Sequence, residues 1–392
     1  MSGVRHGPGL SRRGFIQGAS LSALAMSSTG LLSACGTGGA KVDKDECRST
    51  DKSDSEKEIA FSNWPAYIDP IKKKDTSTLE AFEQETGITV DYTADINDND
   101  GFNAKVAPQL SECQPTGRDA FALTDWMAAR MIDLGWIQEL DHANMPNVDA
   151  NLLEWFKTPA WDPDRKYSVP WQAGMTGICY NSDLVDPVES FADLMTRPDL
   201  KGKVTVLSEM RDTMTFMLLL QGADPEDFTS AQYSAAIDDL RSAVESGQIR
   251  RFTGNDYLDD LKSGNVVAAE SWSGDISQLG DDKFKWVKPT EGFAVWADNM
   301  MVPNLATHKT NVEKLIDYYY DPKVAAQLAA WNYYVCPVRG AADYMAEFDK
   351  SAVDNPLIFP DEEGLNAGVD FMPLDSGQDQ EYQQQFNEVQ SG

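Results

Sequence analysis

The chain opens on a weakly apolar run, passes through a stretch with almost no apolar residue, and then settles into alternation that continues to its end. Residues 15–34 are rich in Ala, Ser and Gly, too weakly apolar for a membrane-spanning helix. Residues 36–57 contain little that could enter a core, which predicts a disordered tether with a random-coil reach of about 25 Å. Order is expected from Glu58-Ile59-Ala60-Phe61, a short strand. Thr78-Leu79-Glu80-Ala81-Phe82 opens a capped helix that Gly87 closes, and Ile88 to Tyr92 alternates with period two. Asp119 to Leu123 predicts a strand leading into a helix near Trp126 to Leu134. Lys203 to Leu207 predicts another strand, followed by a helix from about Asp212 to Gln221. Residues 231–246 and 311–330 read as the clearest later helices. Strand–helix alternation throughout predicts an α/β fold with mostly parallel sheets.

The N-terminal run has its own grammar. Ser11-Arg12-Arg13-Gly14-Phe15-Ile16 precedes the apolar segment, the pattern of a twin-arginine export signal. Leu32-Ser33-Ala34-Cys35 resembles a lipobox, in which cleavage before the cysteine is accompanied by diacylglyceryl transfer to its sulfur. Residues 1–34 are therefore expected as signal peptide and 35–57 as lipidated Cys35 plus tether. Two or more acyl chains anchor stably, so the chain is expected outside the cytoplasm, lipid-anchored on the outer face of the cell membrane or in the periplasm.

Composition narrows the partners. The chain of 392 residues carries a formal charge of −30, and removing residues 1–34, with Arg5, Arg12, Arg13 and no acid, takes it to −33. Such acidity excludes nucleic acid, whose phosphates need Lys and Arg, and favours cationic partners or plain solubility. A folded portion of roughly 330 residues exceeds one compact core, so two domains are expected. With Cys35 lipidated, Cys47, Cys113, Cys179 and Cys336 remain, and an oxidising exterior permits disulfides. Of the three pairings available, Cys47–Cys113 with Cys179–Cys336 is the expected one. No short Cys-x-x-Cys element suggests zinc, and no cofactor is called for.

The repertoire for catalysis is thin. Beyond the signal, His142 and His308 are the histidines present, and neither sits in a catalytic motif. Nucleophile-elbow, zinc-protease and phosphate-loop patterns are absent. Of ten tryptophans, by contrast, several sit beside carboxylates at strand ends, in a recurrent pattern of acids and aromatics: Trp64-Pro65-Ala66-Tyr67, Thr124-Asp125-Trp126, Glu209 to Asp212, Trp272, and Trp296-Ala297-Asp298. Ligands of parallel α/β sheets bind beyond the carboxyl ends of the strands. A carboxylate beside an indole suits an organic cation, because the carboxylate compensates an ammonium removed from water and the ring face adds about 0.5–2 kcal/mol. Acids at helix starts also serve as caps, and Trp126 or Trp272 would serve equally as core or rim residues.

At these residues the chain resembles the spermidine/putrescine-binding proteins of bacterial ABC importers. The similarity runs from about Ile59 to the C-terminal segment. It is carried by Asn63-Trp64-Pro65-Ala66-Tyr67, Phe82 to Val90, Tyr167 to Trp171 on to Tyr180-Asn181, Trp296 to Pro303, and Asp321 to Ala325. The resemblance implies a two-lobed periplasmic-binding-protein type II fold, α/β, with two inter-lobe crossings and a ligand cleft. Lobe 1 would comprise 58–172 and 297–345, and lobe 2 173–296 and 346–390. It places Trp64 and Tyr67 on the cleft wall of the first lobe. Thr124 and Trp126 match a Ser and a Tyr that contact ligand, Glu209 and Asp212 a pair of acids for one amine end, and Trp272 an aromatic lid. Trp296 and Asp298 match the pair clamping the inner amine, and Tyr334 a further aromatic. Pro65 stands where Thr is usual, Met372 falls near a polar position, and Asp125 is an extra acid expected beside the ligand.

The expectation is a polyamine-binding lipoprotein, a monomer that delivers its ligand to the permease subunits of an ABC importer. Two other readings stay open at this stage. A ferric-iron receptor of the same fold would use a tyrosine pair such as Tyr333-Tyr334, and an exported glycosidase would use acids flanking a sugar stacked on Trp.

Overall fold

The computed structural model describes residues 40–43, 46–70, 76–372 and 374–392. The twin-arginine pair and Cys35 lie outside the described residues. Strand β1 (Glu58–Asn63) runs parallel to β2 (Thr89–Ala94) and β3 (Ala120–Thr124). Helix α1 (Thr78–Thr86) joins the first two. Ser77 and Glu80 form a capping box at its start, and Gly87 stops it in the left-handed region at φ 71°. Helix α2 (Asn99–Ser111), capped by Asp98, leads to β3, and α3 (Asp125–Asp133) follows it directly.

A thirteen-residue strand, β4 (Val169–Asn181), then crosses the molecule, buried at every position. Beyond it lies a second parallel group: β5 (Val204–Leu207) between β6 (Ile249–Thr253) and β7 (Ala268–Trp272). Helices α4 (Met210–Leu220), α5 (Ser230–Glu245), α6 (Tyr257–Ser263) and α7 (Ser273–Leu279) accompany these strands. After β8 (Phe284–Val287), β9 (Ala294–Met301) crosses back to α8 (Lys309–Tyr319) and α9 (Pro322–Asn332). The chain ends on α10 (Ser376–Ser391).

The strands form one sheet ordered β2-β1-β3-β9-β4-β7-β5-β6, with β8 also against β4. Each flank is parallel as expected, but every pairing made by β4 or β9 is antiparallel, because one crossing leaves and the other returns. Two apolar clusters lie along the sheet. One holds Phe61, Phe82, Phe121, Met131 and Trp171, the other Val206, Met214, Tyr233, Leu240 and Phe386. Strands and helices therefore bury two cores joined by two crossings, the α/β architecture expected.

Several particulars differ from the sequence reading. Residues 46–57, expected in the tether, are held in place: Cys47 is buried and bridged to Cys113, and Lys52 N–H donates to the Thr307 carbonyl at 2.7 Å. A covalent link and backbone bonds supply the order that apolar content does not. Cys179 and Cys336 are free and buried, against the expected pairing. Val335 bridges Ala173 of β4, and Cys179 lies six residues farther along that strand. That is about 20 Å at strand rise, far beyond the roughly 7 Å a disulfide spans. The stretch 311–330 is two helices, since Pro322 has no N–H to continue a ladder and Asp321 caps the second. Residues just past 345, expected in lobe 2, stay with the first core. Met345–Phe348 packs on α9, and the Cys336 N–H donates to the Ile358 carbonyl at 3.0 Å. The second core is rejoined at Met372.

Candidate ligand-binding site

Strand ends on both sides of the crossings meet at a narrow cavity lined by acids and aromatic rings. Trp64 follows β1, Thr124 ends β3, Glu209 follows β5, Asn255 follows β6 and Trp272 ends β7. Asp212 lies in the first turn of α4, and Trp296 and Asp298 project from β9. Tyr67, Asn99, Tyr334 and Phe371 complete the lining, which contains no basic side chain among the described residues.

Local sequence explains how these groups are held. After Trp64, Pro65 has its φ preset and Ala66 takes the left-handed conformation at φ 58°, a turn that carries Tyr67 back over the cavity. The Tyr67 hydroxyl then donates to Asp298 Oδ2 at 2.6 Å, while Thr124 donates to Oδ1 at 2.7 Å. Trp64 is fixed by its indole N–H on the Ala122 carbonyl at 3.1 Å, and its ring meets Trp272 edge-on at 6.4 Å. Asp212 accepts from the Thr176 hydroxyl at 2.5 Å and from the Trp272 indole at 3.3 Å. The same Thr176 oxygen accepts the Trp296 indole N–H at 2.9 Å. A threonine on the crossing strand thus orients an acid and a tryptophan together.

Glu209 reaches from the second core to the first. Its Oε1 accepts the Asn99 backbone N–H at 2.8 Å and the Asn99 side-chain amide at 3.1 Å, at the N-terminus of α2 where an anion is favoured. Asn99 in turn donates to Thr124 Oγ1 at 2.9 Å. These contacts span the cleft and describe it closed.

Burial dominates the electrostatics of these acids. Burial lifts Asp298 to about 7 despite the hydrogen bonds from Tyr67 and Thr124, and it lifts Asp212 to about 7 despite Thr176 and Trp272. Burial, reinforced by Asp100 and Asp212, holds Glu209 well above the usual carboxylate range. Behind Asp212, burial raises Glu270 to about 8. Burial among groups of which none is basic therefore favours the protonated form of each carboxyl. Asn255 Oδ1, buried with no partner among the described residues, adds an acceptor beside it.

Trp64, Tyr67, Thr124, Glu209, Asp212, Trp272, Trp296, Asp298 and Tyr334, singled out from sequence, line this one cavity together. Asp125 and Trp126 do not. As the first residue of α3, Asp125 turns toward β9, where it accepts the Ala297 N–H at 2.7 Å and the Asn299 amide at 2.8 Å. It braces the strand that carries Asp298. Trp126 points to the cleft margin, where the Arg211 guanidinium stacks on it at 3.9 Å. Met372 is buried in the second core, and its neighbour Phe371 lines the cavity instead.

Sequence reasoning missed Asn99, Asn255, Phe371 and Asp275. Asp275 takes hydrogen bonds from Tyr334 at 2.7 Å and from Tyr257 and Asn255 at 2.8 Å, so it anchors the wall behind Tyr334. Its position three residues after Trp272, at a helix start, was the available signal. Tyr333 and Tyr334 diverge: the first donates to Asp349 at 2.6 Å and the second to Asp275, so they do not converge on one metal.

With this geometry in hand, three comparisons place the chain. A model of the bacterial extracellular solute-binding protein family matches residues 77–359. The spermidine/putrescine-binding periplasmic protein of Escherichia coli K12 is 26% identical over 322 residues, covering 80% of this chain and 86% of that one. A putrescine/agmatine-binding protein of Pseudomonas aeruginosa is 28% identical over 335 residues, covering 78% and 84%. Among solved structures, the substrate-binding protein of a spermidine/putrescine ABC transporter from Streptococcus pneumoniae superposes with a TM-score of 0.69 at 22% identity. That match covers 86% of this chain and 99% of that one, a likeness of fold.

Proposed function

The chain belongs to the bacterial extracellular solute-binding protein family, and from that premise we propose that its solute is a polyamine, handed to the permease of an ABC importer. The observation that carries the reading is the cavity itself: Glu209, Asp212 and Asp298 are buried among Trp64, Trp272, Trp296 and Tyr334 with no basic side chain. Fully ionised, these acids balance up to three ammonium groups. The aromatic faces cover the methylenes between them at roughly 0.8 kcal/mol per buried CH₂ and add cation–π attraction. An anion would meet only like charge there, and a neutral sugar would leave the buried acids without a counter-charge. The relatives' own ligands, spermidine, putrescine and agmatine, are of the same chemistry.

The proposed mechanism is closure. Tyr67 and Thr124 stand with the first parallel strand group, Asp298 on the return crossing, and Glu209, Asp212 and Trp272 at the ends of the second parallel group. A polyamine makes its whole contact set only when the two are together, and that difference in affinity draws the open form closed.

The finer parts of the reading concern the N-terminus. Twin-arginine export and lipidation at Cys35 would hold the receptor as a monomer beside its permease, on a tether shortened by the ordering of residues 46–57. No described helix is long and apolar enough to cross a membrane. Mass spectrometry of the mature N-terminal peptide should find a diacylglyceryl Cys35, and Cys35→Ala should leave the protein unattached.

The decisive experiment is a calorimetric screen of di-, tri- and tetra-amines alongside amino acids and sugars. Spermidine or putrescine should bind at one site per chain with micromolar or tighter affinity. Binding confined to a sugar or an amino acid would overturn the reading.

A further inference from the structure

A second cluster of ligating groups lies on the far side of the first core, remote from the cavity. His308, the residue preceding α8, is 6% exposed, and both its ring nitrogens face carboxylates. Nδ1 is 2.9 Å from Asp119 Oδ2 and Nε2 is 2.9 Å from Glu56 Oε2, with Glu58 Oε1 at 3.8 Å. The ligand atoms of Glu56, Glu58 and His308 all lie within 4.8 Å of one another.

Asp119 is itself fixed, because the same oxygen accepts the Ala60 N–H at 2.9 Å. A carboxylate holding Nδ1–H fixes the ring, so that Nε2, once its own proton leaves, presents a lone pair to the space between the two glutamates. This is the arrangement in which a metal-binding histidine is oriented by an outer carboxylate. The charges point the same way. Three carboxylates surround one imidazole; Lys52 reaches Glu56 at 3.7 Å, and Arg118, which also borders the recess, pairs with Asp95 at 3.2 Å. Even a fully protonated imidazole plus Lys52 leaves one negative charge over, which a divalent ion in place of the Nε2 proton would cancel. An open recess bordered by Glu58, Asp119 and His308 gives an ion a way in and leaves room for water ligands.

We propose that Glu56, Glu58 and His308 form a binding site for a divalent transition-metal ion, with Asp119 positioning the imidazole. One nitrogen and two carboxylate oxygens suit zinc or manganese better than calcium or magnesium, which take oxygen ligands alone. The ion would join the run-up to β1, the start of β3 and the start of α8, three segments distant in sequence. Binding releases the Nε2 proton wherever the imidazole is charged, so affinity rises with pH.

The test uses untagged protein cleared of metal with a chelator and titrated by calorimetry with ZnCl₂, MnCl₂ and CaCl₂ separately. One Zn²⁺ per chain should bind, calcium at least tenfold more weakly, and zinc should raise the thermal midpoint. Asp119→Asn should weaken zinc binding by about 10–100-fold, and His308→Ala should abolish it. Should His308→Ala fail to fold, Glu58→Gln decides: Glu58 is largely exposed, so its loss spares the fold while removing a ligand. Asp298→Asn should bind zinc unchanged, separating this site from the cavity acids. Absence of zinc binding in the wild type, or wild-type binding in either a folded His308→Ala or Glu58→Gln, overturns the site.

Discussion

Asp298 and Asp125 are both acids beside a tryptophan in the sequence, and their surroundings give them opposite duties. Asp298 meets two hydroxyls and a cavity, whereas Asp125 spends its oxygens on the Ala297 and Asn299 N–H groups of β9. Replacing Asp298 by Asn keeps the shape and removes the charge, so a bound ammonium loses its compensating partner. Breaking such a buried pair costs about 3–5 kcal/mol, or roughly 10²–10³-fold or more in affinity. Calorimetry with spermidine measures this directly, and wild-type affinity in Asp298→Asn would remove the residue from the site. The pH dependence is argued at the same scale. Asp212 and Asp298 titrate near 7 in the closed cavity, so below that pH both hold protons that a polyamine must displace. A bound cation returns them to their ordinary range, so protons leave on binding and affinity falls as pH drops through 7. The loss approaches tenfold per pH unit for each proton released. Titration at pH 5.5 and 8, in buffers of different ionisation enthalpy, reads both affinity and proton release; equal affinity at the two pH values would contradict the assignment.

At the scale of elements, the aromatic walls depend on close backbone approach. Gly274, in the first turn of α7, lies under the Tyr334 ring, and an added Cβ would stand 2.4 Å from its Cδ2. The ring cannot yield freely, since its hydroxyl is bonded to Asp275 on the same helix. Gly274→Ala should therefore cost about 1–3 kcal/mol of stability as an overpacked contact, and should push Tyr334 into the ligand's space. Urea denaturation and calorimetry together test it. A variant as stable and as tight-binding as wild type would mean that the helix shifts instead of the ring. Gly174 on β4 underlies Trp296 in the same way, at 2.5 Å. Here the legible signal was strand–helix alternation with acids and aromatics at strand ends. Glycines that admit rings were invisible, because their use depends on which helix lies overhead.

For the whole molecule, closure is held by more than ligand. Arg130 on α3 pairs with Asp379 on α10, and Arg211 on α4 pairs with the same carboxylate at 2.8 Å while stacking on Trp126. The neighbours of Arg130 on α3, Met127 and Met131, belong to the first core, whereas Tyr382 and Phe386 on α10 belong to the second. The cluster is therefore a contact of the closed form, well outside the cavity lining. Arg130→Met should leave the Asp379–Arg211 pair intact and lower polyamine affinity by about 5–30-fold, the equivalent of roughly 1–2 kcal/mol for one partly exposed ion pair. The change should appear as faster release in stopped-flow tryptophan fluorescence and as a more open unliganded form in small-angle scattering. Unchanged release would show that the latch adds nothing to closure. Trp126 belongs to this scale too: read from sequence as a ligand contact, it acts at the cleft margin.

Two kinds of information separate here. Element types, the caps at Ser77 and Gly87, the placement of Trp64, Thr124, Glu209 and Trp272 at strand ends, and the acidic, aromatic character of the site follow from local pattern. Short-range sterics, hydrogen bonding and periodicity act over a few residues, and the sequence displays them directly. Only the tertiary structure decided which acids face a ligand and which brace a strand, that Cys179 stays apart from Cys336, and that residues 46–57 are pinned by Cys47. Those outcomes depend on direction and distance between segments up to hundreds of residues apart. The raised pKa values of Asp212 and Asp298 belong there as well, because burial, their main cause, is a property of the packed chain and not of any stretch of it.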